Sequence, residues 1–270
     1  MEETLSILAL KEVLHQPEFA QSRDSRKPPL HHCKKSDSCS SEASMHYNPE
    51  CVCTCELAGD SMPLSKPGQI TIEKTPGYYI TEEAPERIHK LDKNMKLIVV
   101  VRDPVVRAIS DYVQSVATGR RKENEFERLA VPDPKTGVVD DSYYALMVGR
   151  YADHLERWLK FFPLSQFLFI SGDEMIKNPV PQLMKLQRFL KIDTIIDERY
   201  FVYNSTKGFY CMKKSVEDTT ADCLGETKGR EHPHISPSVI HKVYRYFKPH
   251  NERFYSMIGQ NFHWGEEKRR

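Results

Sequence analysis

Residues 96–101, Lys-Leu-Ile-Val-Val-Val, followed at once by Arg102-Asp103-Pro104, constrain the fold of this chain more than any other stretch. A continuous apolar, β-branched run is what a strand needs when both of its faces are buried, as in a parallel sheet covered by helices. Asp103 suits the capping position of a helix and Pro104 the first helical position. The segment therefore reads as a strand that passes directly into a helix, expected to end near Ala117, before Gly119. Arg102 stands at the carboxyl end of that strand.

The rest of the chain from residue 69 onward repeats the alternation. Residues 69–72 read as a short strand that gives way to Glu73-Lys74-Thr75-Pro76, where the proline stops it. Residues 142–162 have helical periodicity through Leu146, Tyr151, Leu155, Trp158, Leu159 and Phe162. Residues 166–171 read as another buried strand. Residues 179–190 form a helix with Leu183, Leu186 and Leu190 toward the core, and 236–247 a last long helix. Alternating strands and helices predict an α/β fold with a mainly parallel sheet and right-handed crossovers.

The first 61 residues have a different character. Residues 3–19 have the pattern of a short amphipathic helix with Leu5, Leu8 and Val13 roughly on one face. The rest is a polar mixture that buries too little apolar surface to offset chain entropy. The expected organisation is a low-complexity segment over 1–61, a folded domain over 62–265 and a charged tail over 266–270. Cys33, Cys39, Cys51, Cys53 and Cys55, with His31, His32 and His46, are numerous enough to ligate zinc. The Cys-x-Cys-x-Cys spacing is not a common zinc-finger pattern, so no metal site is expected.

With 39 basic and 38 acidic residues, net charge announces no polyanion partner, and nucleic acid is not expected. No apolar run approaches the ~20 residues of a membrane span. Residues 1–10 carry Glu2 and Glu3 and no basic stretch, so they do not read as a signal peptide.

Ligands of open parallel sheets bind beyond the carboxyl ends of the strands. Two cations stand there, Lys74 and Arg102, and helix N-termini at the same edge offer amides to anions. Ser110, about two helical turns past Arg102, is placed to add a hydroxyl donor to the same phosphate. The competing reading pairs Arg102 with a carboxylate and makes Ser110 a small packing residue. Lys228-Gly229-Arg230, followed by His232-Pro233, places a glycine between two cations, so that backbone amides approach a phosphate while the side chains close over it. An ordinary solvated turn competes with that reading. Cys211 and Cys223 bracket an eleven-residue polar segment. A bridge there would stabilise by roughly 3 kcal/mol in the chain-entropy account, whereas a reducing compartment would leave two free thiols. Asn204-Ser205-Thr206 is a glycosylation sequon and agrees with an oxidising compartment.

Taken together, GQITIEKTPGYY (68–79), KLIVVVRDPVVRAISDYVQ (96–114), YADHLERWLKFFPLSQFLFISGDEMI (151–176), KGFYC (207–211) and CLGETKGREHP (223–233) resemble the heparan sulfate glucosaminyl 3-O-sulfotransferases. The likeness covers residues 62–264. It implies a P-loop-NTPase-like three-layer domain. The implied reaction carries sulfonate from 3′-phosphoadenylyl sulfate to the 3-hydroxyl of a glucosamine in heparan sulfate, in the Golgi lumen. It assigns Arg102, Ser110 and the loop of Lys228, Gly229, Arg230, Glu231 and His232 to the donor's 3′-phosphate. Lys74 would stabilise charge beside the transferring sulfonate. Lys74, Thr75, Pro76 and Gly77, with Gln114, Tyr143 and Tyr144, would line the glycan groove; some relatives carry Trp at the first of the two tyrosines. Asp111, one helical turn from Gln114, would face the acceptor as well. Arg120-Arg121-Lys122 would meet sulfates at the rim or form a solvated face. Cys211 and Cys223 are expected to be bonded and Asn204 glycosylated.

The sequence also departs from the family. A glycine loop of the form GxxKGGTR, which cradles the donor's 5′-phosphosulfate, is not found among the 270 residues. Neither is the stretch close to E-x-HFFD whose glutamate is the general base, nor the family's membrane anchor. Before Met62 stands CVCTCELAGDS, and Glu56 within it lacks the motif, so the base's role is not carried onto it. The domain is therefore expected to be incomplete at its start. The leading expectation is a sulfotransferase whose turnover in this form is strongly reduced. The alternative is a nucleotide- and glycan-binding module without turnover. A kinase is disfavoured by the want of a Walker lysine.

Overall fold

The structure, a computed structural model, describes residues 6–12, 69–223, 230 and 232–265, with the backbone alone for residues 6–12 and Pro76. Lys228, Gly229 and Glu231 of the expected phosphate loop lie outside the described residues. So do the cysteines and histidines of the N-terminal segment and the tail 266–270. The chain divides into two units, Met1–Lys11 with Ile72–Arg270, and Glu12–Thr71.

Strand β1 (Ser6–Glu12) stands where the periodicity of residues 3–19 suggests a helix. It pairs antiparallel with β3 (Lys96–Val101), Ser6 opposite Val100 and Leu10 opposite Lys96. The apolar run Ile7–Leu10 satisfies a strand as well as a short helix. Pairing along β3 gives both strands backbone partners, and that tertiary gain outweighs a weak local period.

Strand β2 (Ile70–Pro76) is longer than its sequence pattern indicates, so Lys74 lies within the strand and not beyond its end. Helix α1 (Ala84–Leu91) leads into β3, where Leu97, Ile98, Val99 and Val101 are all buried, as the apolar run requires. Helix α2 (Pro104–Ala117) follows. Asp103 caps it, its Oδ1 accepting from the backbone N–H of Val105 at 2.9 Å and of Val106 at 3.3 Å. After the short α3 (Phe126–Ala130), the helical period of 142–162 divides into α4 (Tyr144–Val148) and α5 (Tyr151–Leu159). The break falls at Gly149-Arg150, where glycine weakens the helix.

Strand β4 (Phe167–Ser171) is parallel to β3, with Val101 opposite Ser171, and passes into α6 (Gly172–Lys177) and α7 (Pro179–Leu190). The strand order is β2-β1-β3-β4. A separate hairpin, β5 (Phe201–Asn204) with β6 (Phe209–Met212), was not anticipated by the sequence pattern. The last helix, α8 (Pro237–Ile258), runs through Pro249 to nearly twice its expected length. Val243, Phe247, Asn251 and Phe254 keep one face of it buried, and Pro249 lies on the exposed side.

Two apolar clusters hold these elements together. One joins Leu97, Val99 and Val101 to Phe167, Phe169, Tyr151, Leu155, Trp158 and Phe254. The other joins Val105, Ala108 and Ile109 of α2 to Phe126, Leu146, Val243 and Phe247. The α/β class and the parallel β3–β4 pair agree with the sequence reading.

Candidate functional site

The site is built on the turn between β3 and α2. Arg102 donates from Nε to Asp173 Oδ1 at 2.9 Å and from Nη1 to Ser110 Oγ at 3.4 Å. Ser110 is buried, and its Oγ lies 2.9 Å from His232 Nε2. One turn along α2, Gln114 Oε1 accepts from Arg230 Nη1 at 2.6 Å. Helix α2 thus gathers the adjacent Arg102 and the distant His232 and Arg230 onto one face, since residues four apart are neighbours on a helix. Arg102 pairs with a carboxylate, as the competing reading expects, and its Nη1 also reaches Ser110. The grouping is a set of hydrogen-bond donors suited to an anion.

The turn itself is rigidly held. Asp103 N–H donates to Asp173 Oδ2 at 2.9 Å, and Tyr244 donates to Asp103 Oδ2 at 2.9 Å. Burial raises the Asp103 carboxyl above the usual range, against the lowering effect of the bonds from Tyr244, Val105 and Val106. The Tyr151 hydroxyl donates to Arg102 O at 2.8 Å, and burial holds that phenol well above its ordinary value.

The residues expected to line an acceptor groove fall in two places. Thr75 donates to Glu73 Oε1 at 2.5 Å, and Lys74 is exposed on β2, on the far side of β1 from β3. Pro76 ends the strand, and Gly77 turns the chain at φ 96°, a left-handed conformation natural to glycine. The turn is closed by the N–H groups of Ile80 and Thr81 on Gly77 O, both at 3.1 Å. Helix α5 clamps the segment that follows. Trp158 Nε1 donates to Tyr79 O at 3.0 Å, Arg157 to Ile80 O at 2.8 Å, and the Tyr79 hydroxyl to Tyr151 O at 3.0 Å.

The other place is the junction of α2 with α4. The buried Arg107 donates to Ala145 O and reaches Asp111 Oδ2 at 3.4 Å. Tyr143, next to this pair, is pushed up to about 12 by burial, with the Asp111 charge adding to it. Tyr144 is exposed, as are Arg120, Arg121 and Lys122 beyond the end of α2.

Cys211 and Cys223 are bonded, with Cα atoms 4.5 Å apart. The Asn204 side chain caps the hairpin turn, Oδ1 accepting from Lys207 N–H at 3.0 Å and Nδ2 lying 3.6 Å from Cys223 Sγ. The site residues that sequence reasoning missed are Asp173, Tyr151, Arg157 and Trp158. Asp173 had a signal, because it follows a strand end at the same carboxyl edge as Arg102. Among the described residues no group of three or more side chains is placed to hold a metal ion, and no helix is long and apolar enough to cross a membrane.

The sequence profile of the sulfotransferase domain matches residues 9–262. The chain belongs to the sulfotransferase family. Over 205 residues it is 46% identical to the heparan sulfate glucosamine 3-O-sulfotransferases 3B1 of mouse and human, covering 76% of this chain and 52% of theirs. Against the human heparan sulfate glucosamine 3-O-sulfotransferase 6 the identity is 44% over 204 residues, 76% of this chain and 59% of the relative. The chain thus spans little more than half the length of these relatives. Among solved structures it is similar to a sulfotransferase from Alicyclobacillus acidocaldarius, with TM-score 0.48 and 18% identity over 69% of this chain and 63% of that one. Membership in the family implies a sulfonate donor.

Proposed function

We propose that this chain is a heparan sulfate glucosamine 3-O-sulfotransferase-type protein whose donor is 3′-phosphoadenylyl sulfate. The observation that carries the reading is the convergence of Arg102, Ser110 and His232, with Arg230 one helical turn away on Gln114. Arginines and a hydroxyl grouped beside a helix at a strand's carboxyl end suit the 3′-phosphate of such a donor. Lys228, Gly229 and Glu231 belong to the same proposed loop. In the reaction, the sugar 3-hydroxyl oxygen attacks sulfur, the bond from sulfur to the phosphate oxygen breaks, and the hydroxyl proton passes to a base. Lys74 is assigned to the charge that develops on the departing phosphate. Thr75, Pro76, Gly77, Asp111, Gln114, Tyr143 and Tyr144 are assigned to the glycan. The proposed transferase domain covers 62–265. We place the protein in the Golgi lumen, where the Cys211–Cys223 bond is favoured and Asn204 can receive a glycan.

The alternative, a module that binds nucleotide and glycan without turnover, draws on one further observation. β1 runs antiparallel to β3, so its carboxyl end lies at the edge of the sheet opposite Arg102. β1 therefore does not end beside Arg102.

One experiment separates the two readings. The purified chain is incubated with labelled 3′-phosphoadenylyl sulfate and heparan sulfate, and binding of 3′-phosphoadenosine 5′-phosphate is measured in parallel. Labelled glycan supports the transferase, binding without label supports the module, and neither removes both.

A further inference from the structure

Asp173 fixes two groups of the β3–α2 turn with one carboxylate. Its Oδ1 accepts from Arg102 Nε and its Oδ2 from the Asp103 N–H, both at 2.9 Å. A guanidinium bonded at Nε has its far end constrained, and here Nη1 lies 3.4 Å from Ser110 Oγ. The fold makes this contact possible in two steps. The parallel register sets Val101 opposite Ser171, which brings Asp173 level with the turn. Gly172 eases the approach of the two turns: a Cβ there would lie 3.3 Å from Val101 O, a tight contact.

We infer that Asp173 is a positioning residue that gives the nucleotide site its selectivity for a 3′-phosphate, by aiming Arg102 at it. The inference rests on the donor-site reading given above. It makes a prediction of definite sign. If Asp173 were only a nearby negative charge, removing it would strengthen phosphate binding. As the group that aims Arg102, its removal weakens that binding. A purely structural role would weaken all nucleotides alike.

The test uses the full 270-residue chain and calorimetric titration with two probes, 3′-phosphoadenosine 5′-phosphate and adenosine 5′-phosphate. The unaltered chain is expected to prefer the first. Asp173→Asn keeps the shape but loses the charge, and its single carbonyl oxygen can accept only one of the two bonds, so the preference should fall about tenfold, the worth of one hydrogen bond to a charged group. Affinity for adenosine 5′-phosphate should change little. Asp173→Glu retains the charge but displaces it by a methylene, and should also lose preference; it carries the test if Asp173→Asn does not fold. A preference that stays or rises in these variants overturns the inference, as does an equal loss for both nucleotides. An unaltered chain that binds the two probes equally removes the donor-site reading itself.

Discussion

The Ser110 hydroxyl and His232 Nε2 lie 2.9 Å apart across 122 positions of sequence. That contact ties α2 to the segment entering α8 at the point toward which Arg102 is directed. Ser110→Ala is expected to weaken binding of 3′-phosphoadenosine 5′-phosphate by at least about tenfold, as a hydrogen bond to a charged group contributes about 1.5–3 kcal/mol. Calorimetry measures it, and an unchanged dissociation constant would remove Ser110 from the donor site.

The Cys211–Cys223 bond closes a loop with a sequence separation of 12. Replacing both cysteines by serine is expected to cost about 3 kcal/mol and to lower the midpoint of thermal unfolding by about 5–10 °C. A double variant that unfolds at the wild-type temperature would show that the bond constrains little.

His154 supplies a pH dependence of stability. Its Nδ1 accepts from Arg157 at 2.9 Å, so the ring proton sits on Nε2 and is donated to Met147 O at 3.2 Å. Burial, then the Arg157 charge, pushes the imidazole down from 6.5 to about 4, with Arg150 acting in the same direction and Asp153 against it. Between those values the unfolded chain binds a proton that the folded chain does not. The contribution is therefore intact above the unfolded value and is lost as the pH falls through 6.5 toward about 4. Its size is on the order of 3 kcal/mol. His154→Gln can accept from Arg157 and donate to Met147 without titrating. Urea unfolding at neutral and mildly acid pH should show a smaller difference in the variant, and equal differences would discount His154.

Turnover is expected to be low. The purified 270-residue chain should transfer sulfonate at least about a thousandfold more slowly than a relative carrying both the GxxKGGTR loop and the E-x-HFFD glutamate, because a general base alone contributes about 10²–10⁴. Near-equal rates in a labelled-donor assay would mean that an unassigned carboxylate, such as Glu56, acts as the base.

The elements most legible in the sequence were those with a strong local pattern and a cap. β3, α2 and α7 lie where their apolar residues put them, and α2 starts at Asp103-Pro104 as the sequence indicates. The Arg102–Ser110 grouping was legible from helical spacing, and the disulfide from two cysteines flanking the proposed phosphate loop at short range. What escaped depended on partners distant in sequence. β1 exists as a strand through its pairing with β3, and α8 passes Pro249 because its buried face continues beyond it. Asp173 acquires its role only when β4 lies parallel beside β3, a register that no local pattern encodes.

Helix α5 grips both parts of the site through main-chain oxygens: Tyr151 on Arg102 O, Trp158 on Tyr79 O and Arg157 on Ile80 O. None of these bonds reads a side chain at the position it holds. The path of the backbone past the proposed donor and acceptor residues is therefore fixed independently of what that path displays. Residues such as Thr75 or Tyr144 can be exchanged for others without disturbing the bonds that hold residues 79, 80 and 102. Under the proposed function, preference among sulfated sugars can therefore vary without loss of the scaffold that carries the site.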